Sequence, residues 1–549
     1  MIPNHHDDPT TDPAHDASAE STDDKLNAPQ LAKLAWEYAR SVGIVTDLTE
    51  PEPQLRYRAN PFVVNEYGPG AADALSLSQI LTASYPEHGA SLFHALVARV
   101  VDGDADDDAP IYMGHAGAAW LLFKIHCVDP GFALGSRSAL AIAHDLAERA
   151  HAAALVTIER SRDDDYVSSS PFPSGVGFLC TPVGALAIAA VVRHHYDQSS
   201  VKFGGHGDEA GGAVTDILAE LHAFIQRHAF SPDCPSEVLF GRSGLVAALQ
   251  LVARHIPETR DSEHAYGRAL PVTDLLLRLV EAIIEDGRNG AVALAQTHPD
   301  APQLTLAWST LGKWYLGAAH GAAGILTVLL ALSNDLTAPY LEEIKQTVCD
   351  LAQLAEFPTT IDKLCAPDTP AKDPANVMVQ WCHGAVGLGL LFVRAFAKFG
   401  DAEFLARATL CGELAWEQGI VDKHVGLCHG VAGNAYLFLS MWRATRLRLW
   451  YQRTLAFALT APHWQGGLCD HPASVWEGWG GLASLLADLL VAPEPVVDHD
   501  PEEAQSAQSS YLETEATDLI ARTAHARVLL AVETVRSAGF QGFPCVDDC

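Results

Sequence analysis

Two cysteine–histidine pairs, Cys382-His383 in QWCHGAVG and Cys428-His429 in GLCHGVAG, stand 46 residues apart, each just ahead of two glycines spaced three apart. Thiolate and imidazole are preferred zinc ligands, and a catalytic zinc takes three protein ligands with a fourth position open. Cys382, Cys428 and His429 would make such a set; adding His383 would make four ligands and close the site. The spacing is not that of a CxxC…CxxC array. Taken singly, each pair is equally readable as small buried residues where helices crowd. Repetition is what raises the metal reading above that one.

His320 occupies the same turn position in AHGAAG, without a cysteine. That suits a general acid or base beside a metal rather than a ligand. Glu237 lies four residues ahead of Gly241, Arg242 sits inside that glycine pair, and Glu477 directly precedes Gly478. Cys180 and Cys469 lie near two further turns and read as structural. The other cysteines show no partner spacing.

The elements that must position these residues come from a repeat. Glycine pairs of the form G-x-x-G, each followed by an apolar helical run, begin at positions 114, 241, 321, 384, 430 and 478; a degenerate member keeps Gly184 and has Thr181 in place of its first glycine. Successive units start 46 to 80 residues apart, room for two helices and their connections. Between them lie amphipathic segments such as YLEEIKQTVCDLAQLAE (340–356), with apolar residues three and four apart. Strand alternation is weak throughout. Seven helical hairpins whose inner helices all begin with the same small-residue turn favour closure into a ring, since each unit then presents that turn to one centre. The expected fold is an all-α, double-layered α/α toroid in a single large domain. In such a ring the turn residues converge on one cavity, although Glu237 and Glu477 lie 240 residues apart in the chain.

Composition bounds the rest. The formal charge of −33 argues strongly against a nucleic-acid binder, which needs clustered Lys and Arg, and equally against electrostatic docking on anionic lipid. Residues 1–28 read as a disordered acidic tail, 29–492 as the barrel, and 493–549 as a Pro- and acid-rich linker with a C-terminal amphipathic helix. Neither a signal peptide nor a membrane span is expected. Eleven scattered cysteines suit reduced cytosolic thiols or metal ligands better than a disulfide framework. A cytoplasmic protein, or one peripheral to membranes, is the expectation.

The chain resembles the lanthionine synthetase C-like (LanC-like) family, in its eukaryotic branch. WCHGAVG (381–387), GLCHGVAGNAY (426–436), AHGAAG (319–324), SEVLFGRSG (236–244), FLCTPVG (178–184), SVWEGWGG (474–481) and RYRANPF (56–62) carry the resemblance in colinear order. It implies seven helix pairs around one zinc, with Cys382, Cys428 and His429 as ligands, His320 as the catalytic histidine and Glu237 as the catalytic acid. Arg56, Lys423 and Arg242 are implied as glutathione-binding residues. The implied activity is addition of a thiol, in this branch glutathione, to dehydroalanine or dehydrobutyrine in dehydrated (phosphate-eliminated) peptides or proteins, giving thioethers. Two departures stand out: T-P-V-G replaces the usual G-D-A-G in unit two, and no arginine precedes unit seven. They leave a second class open, a non-catalytic adaptor that binds zinc and glutathione. A carbohydrate-active toroid would need paired cavity carboxylates, and Glu237 with Glu477 could supply them, but both Cys-His pairs would go unexplained.

Overall fold

The computed structural model describes residues 92–103, 110–161, 171–202, 210–354, 357–362, 378–421, 423–460, 469 and 471–491. The expected tail, the start of the expected barrel with Arg56, and the expected C-terminal linker and helix lie outside these residues.

Two kinds of helix alternate along the chain, and burial explains the difference. The first kind begins at a glycine unit and is apolar nearly all round: α2 (His115–Val128), α4 (Pro182–Lys202), α6 (Arg242–His255), α8 (Ala322–Ala331), α10 (Ala385–Phe399), α12 (Val431–Thr445) and α14 (Trp479–Val491). In α8 every residue from Ala322 to Leu330 is buried. The second kind is amphipathic: α1 (Leu92–Asp102), α3 (Ala139–Arg160), α5 (Ala210–His228), α7 (Val272–Thr297), α9 (Leu341–Ala352), α11 (Ala402–Gln418) and α13 (Arg448–Thr460). In α9 the buried positions are Ile344, Thr347, Val348, Leu351 and Ala352, one stripe of a helix whose other side faces water. A helix apolar all round needs neighbours on every side, and an amphipathic one needs them on a single side. The first kind therefore forms an inner layer and the second an outer one.

The inner layer closes. Helix α2 packs on α4, α4 on α6, α6 on α8, α8 on α10, α10 on α12, α12 on α14, and α14 back on α2. The outer helix of the last hairpin is α1, which packs on α14, so the two ends of the described chain complete one unit. This is the α/α toroid of seven hairpins. The only sheet among the described residues is a two-stranded ribbon, β1 (Ala133–Leu134) with β2 (Arg137–Ser138), in the α2–α3 connection. No helix among the described residues is long and apolar enough to cross a membrane.

The glycine pairs have a steric cause. In all seven units a Cβ on the second glycine would lie 1.9–2.7 Å from the carbonyl oxygen of the residue six positions earlier; Gly324 against Ala318 and Gly433 against Leu427 are the closest, at 1.9 Å. The incoming turn folds back over the first turn of its own helix, and only glycine leaves the room. Unit two keeps this glycine, Gly184, while Thr181 stands in for the first. The Thr181 hydroxyl donates to the Gly177 carbonyl at 2.7 Å and accepts from the Val183 N–H. Gly384 is the exception among first glycines, with φ of +93°.

The turns are stitched together by backbone hydrogen bonds. The N–H of Tyr112 donates to Leu179 O, Cys180 to Leu239 O, Val238 to Ala319 O, Ala318 to Trp381 O, Cys382 to Cys428 O, and Cys428 to Trp476 O. The Ser474 hydroxyl then donates to Tyr112 O and closes the belt. Chemistry-bearing side chains are held on this belt.

Candidate metal centre and acid–base pair

The side chains of Cys382, Cys428 and His429 come together, with their ligand atoms all within 4.8 Å of one another. Units five and six supply them, and the Cys382 N–H to Cys428 O bond of 3.1 Å fixes the two turns side by side. Both cysteines are buried. His383 stands apart from this group. Its ring faces Tyr315 at 5.5 Å and His320 at 6.4 Å between centroids. The two Cys-His pairs are therefore alike in sequence and unlike in placement.

The electrostatics fit a dication. Burial alone would raise the Cys382 thiol, but hydrogen bonds from Cys428 and from Gln380, with the Lys423 charge, bring it below the ordinary cysteine value. Gln380 Nε2 donates to Cys382 Sγ at 3.2 Å. Cys428 goes the other way: burial and the neighbouring Cys382 push its thiol well above the usual range. The pair thus releases one proton readily and holds the second. Burial lowers the His429 imidazole, yet the adjacent Cys428 more than offsets this and the ring ends above its ordinary value. A cation among these atoms would offset the cost of a second buried thiolate and draw on the neutral imidazole. Two thiols and one imidazole are a donor set suited to zinc, and three ligands leave a tetrahedral position free. Cys382, Cys428 and His429 can hold one such ion.

Beside this group, Glu237 and His320 meet. His320 Nδ1 lies 2.8 Å from Glu237 Oε2. Glu237 has no solvent exposure, and its carboxylate also accepts the backbone N–H groups of Leu239 and Phe240. An anion so held keeps Nδ1 of His320 as the donor and leaves Nε2 for exchange with a substrate. The Ala319 N–H to Cys382 O bond of 3.4 Å sets the His320 turn directly against the Cys382 turn.

Lys423 is exposed, and its charge is felt at both Cys382 and His429. Arg242 is held by the loop before its own unit and by α7. Its guanidinium is buried and donates to the carbonyls of Ala229 (2.8 Å), Ser231 (2.8 Å) and Cys234 (2.7 Å) and to Asp286 (2.6 Å). It ties the loop before unit three to α7, and four of its five N–H donors are already committed. Glu477 lies close enough to His429 for its charge to act there.

Three further residues stand at the site. Tyr112 hydrogen-bonds Cys428, and burial with that thiol holds its phenol proton on. Its ring stacks on Trp476 at 5.9 Å. Cys180, read from sequence as structural, senses the charges of Glu237 and Cys428, and burial raises its thiol well above the ordinary value. Gln380 is the third. The repeat register would have found them. Tyr112, Cys382 and Cys428 each lie two residues before their unit's first position; Cys180, His320, His383, His429 and Glu477 lie one before; Glu237 and Gln380 lie four before.

Comparison with known proteins identifies the family. The family model described as lanthionine synthetase C-like protein matches residues 105–495. A Danio rerio protein named glutathione S-transferase LANCL1 is 30% identical over 432 residues, covering 76% of this chain and 92% of that one. The Arabidopsis thaliana LanC-like protein GCL1 is 29% identical over 325 residues, covering 57% of this chain and 68% of that one. Among solved structures, nisin cyclase aligns with a TM-score of 0.43 and 14% identity, covering 73% of this chain and 94% of that one. With its family model matched over most of its length, the chain belongs to the lanthionine synthetase C-like family.

Proposed function

We propose that this protein is an enzyme that adds a thiol, glutathione, across the double bond of dehydroalanine or dehydrobutyrine residues in peptides or proteins, giving thioethers. The observation that carries the proposal is the placement of the Glu237-held His320 against the Cys382, Cys428 and His429 group. The Danio rerio relative is named for glutathione transfer, which supports the choice of thiol.

Cys382, Cys428 and His429 would hold zinc, which supplies a Lewis acid that favours the thiolate over the thiol near neutral pH. His320, neutral and donating Nδ1–H to Glu237, takes the thiol proton at Nε2. Sulfur then bonds to the β-carbon, the π electrons move to the α-carbon and its carbonyl, and an enolate results. His320, now imidazolium, returns the proton from Nε2 to the α-carbon. Glu237 stabilises the imidazolium between the two transfers and orients the ring. Tyr112 and Gln380 donate to the two cysteine sulfurs and hold them in place. The net change is addition of S–H across C=C, with no oxidant or leaving group.

The deciding measurement is mass spectrometry of a dehydroalanine peptide incubated with glutathione and the zinc-loaded protein. A thioether adduct formed faster than in buffer supports the proposal. Zinc binding without adduct formation would instead establish the adaptor reading.

A further inference from the structure

Cys382 and Cys428 are two thiols placed close enough to react with each other. Their sulfurs lie within 4.8 Å, and a hydrogen bond runs between them. The backbone enforces the approach: the Cys382 N–H donates to Cys428 O at 3.1 Å, and the Cys428 N–H to Trp476 O at 2.9 Å. Residues joined by such a bond across adjacent chain segments have Cα atoms about 5 Å apart. That lies inside the range of about 4.4–6.8 Å that a disulfide bridges. Both side chains are buried, so packing keeps the approach as well as the backbone does.

Other cysteines are placed differently. Cys411 is buried within α11, and the Cys234 thiol donates to the Pro235 carbonyl at 3.6 Å. Cys180 feels the Cys428 charge, but its backbone ties it to Leu239 of unit three. The Cys382–Cys428 backbone bond is already a link of the belt, so a bond between their sulfurs would form without opening the ring. Metal and disulfide compete for the same electrons. A thiolate bound to a dication has its lone pair engaged, whereas a disulfide sulfur carries no charge to offer one.

We infer that Cys382 and Cys428 form a reversible redox switch, holding zinc with His429 when reduced and releasing it when joined in a disulfide. This rests on the zinc-holding role given to the pair in the proposed function. The oxidant is the disulfide of the proposed thiol substrate, glutathione disulfide. One cysteine thiolate attacks it, forming a mixed disulfide and expelling a glutathione thiolate. The second cysteine thiolate attacks the protein sulfur of that mixed disulfide and expels the other glutathione thiolate. The two cysteines give up two electrons and gain one S–S bond. Glutathione disulfide takes up those electrons, and its two thiolates draw protons from water. His429 then remains as one ligand where the site needs three.

The test incubates the zinc-loaded full chain with glutathione disulfide under argon and follows zinc with a chromophoric chelator. One equivalent of zinc per chain is expected to be released, at least tenfold faster than with the same concentration of glutathione. The denatured intact mass should fall by two hydrogens, and a peptide map should show Cys382 joined to Cys428. Dithiothreitol with added zinc should reverse all three changes. Cys180→Ser is expected to behave as wild type, whereas Cys382→Ser and Cys428→Ser should lose the two-hydrogen change. The wild-type peptide map decides the linkage should either of those two variants fold poorly. Zinc kept with both thiols still open to alkylation, a mixed disulfide that never resolves, or a cross-link that requires Cys180 overturns the switch. Zinc bound by the reduced chain without adduct formation on a dehydroalanine peptide would defeat the thiol addition alone. Zinc retained against glutathione disulfide would defeat the switch alone, and a reduced chain that binds no zinc would defeat both.

Discussion

Glu237 Oε2 and His320 Nδ1 stand 2.8 Å apart although 83 residues separate them in the chain. The carboxylate is anchored by two backbone N–H donors of its own turn, so it cannot follow the imidazole if that ring moves. The proposed chemistry uses this rigidity. Glu237→Gln keeps the shape but removes the charge that stabilises the imidazolium. We expect turnover to fall about 10²–10⁴-fold, the range typical for acid–base assistance. Zinc content by elemental analysis should stay at one per chain. His320→Ala should behave alike, whereas Cys428→Ala should lose zinc and turnover together. A Glu237→Gln protein with wild-type rates would remove His320 from the proton path.

Gln380 donates to Cys382 Sγ at 3.2 Å and is itself buried, so its amide has few other ways to act. A hydrogen bond to a thiolate spreads its charge and fixes its direction toward a metal. Gln380→Leu should weaken zinc binding roughly 10–100-fold. Competition with a chromophoric chelator measures this. In the cobalt-substituted protein the thiolate-to-metal charge-transfer band should shift as well, a change that a merely structural role would not produce. Unaltered affinity and an unaltered band would assign Gln380 to packing alone.

Ring closure has its own polar device. Lys124 on α2 donates to Asp488 on α14 at 2.7 Å and to Ser484 at 3.1 Å, and the Tyr436 hydroxyl of α12 donates to the same Asp488 oxygen. Lys124 and Asp488 keep 11% and 2% of their side-chain surface exposed, so solvent cannot replace a lost partner. Asp488→Ala should destabilise the fold by about 3–5 kcal/mol, because it leaves a buried ammonium uncompensated. Lys124→Met with Asp488→Leu should cost less, since the ammonium goes with the carboxylate and only Arg443, 4.0 Å from Asp488, loses a charge partner. Urea denaturation of the single and double variants checks this. Equal losses would mean that packing at the α2–α14 seam dominates.

The toroid was legible because one steric requirement recurs. The second glycine of each unit faces the carbonyl six residues back, so the signal survives even where Thr181 replaces the first glycine. The meeting of Cys382, Cys428 and His429 followed from that register. At Arg242, G-R-x-G shows only that an arginine starts a helix. Its targets, the carbonyls of Ala229, Ser231 and Cys234, belong to a loop whose shape no local pattern reports. Arg56 lies outside the described residues.

Acid sensitivity should come from the half-buried histidines between α4 and α6. The rings of His195 and His255 lie 5.3 Å apart, and each meets Phe123 of α2 at 5.0 Å. Burial lowers both to about 4, helped at His195 by His194 and His126 and at His255 by His195, Arg254 and His194. In the unfolded chain they titrate near 6.5. A lowered folded value means that the unfolded state binds more protons between these limits. The neutral pair therefore contributes its full stability above about pH 6.5 and loses it as pH falls toward 4. Urea midpoints measured at intervals from pH 7.5 to 4.5 should decline through that window. His195→Asn with His255→Gln should flatten the decline, whatever those substitutions cost at pH 7.5. A wild-type midpoint that holds steady down to pH 4.5 would show that these rings accept protons in the folded state as readily as in the unfolded one.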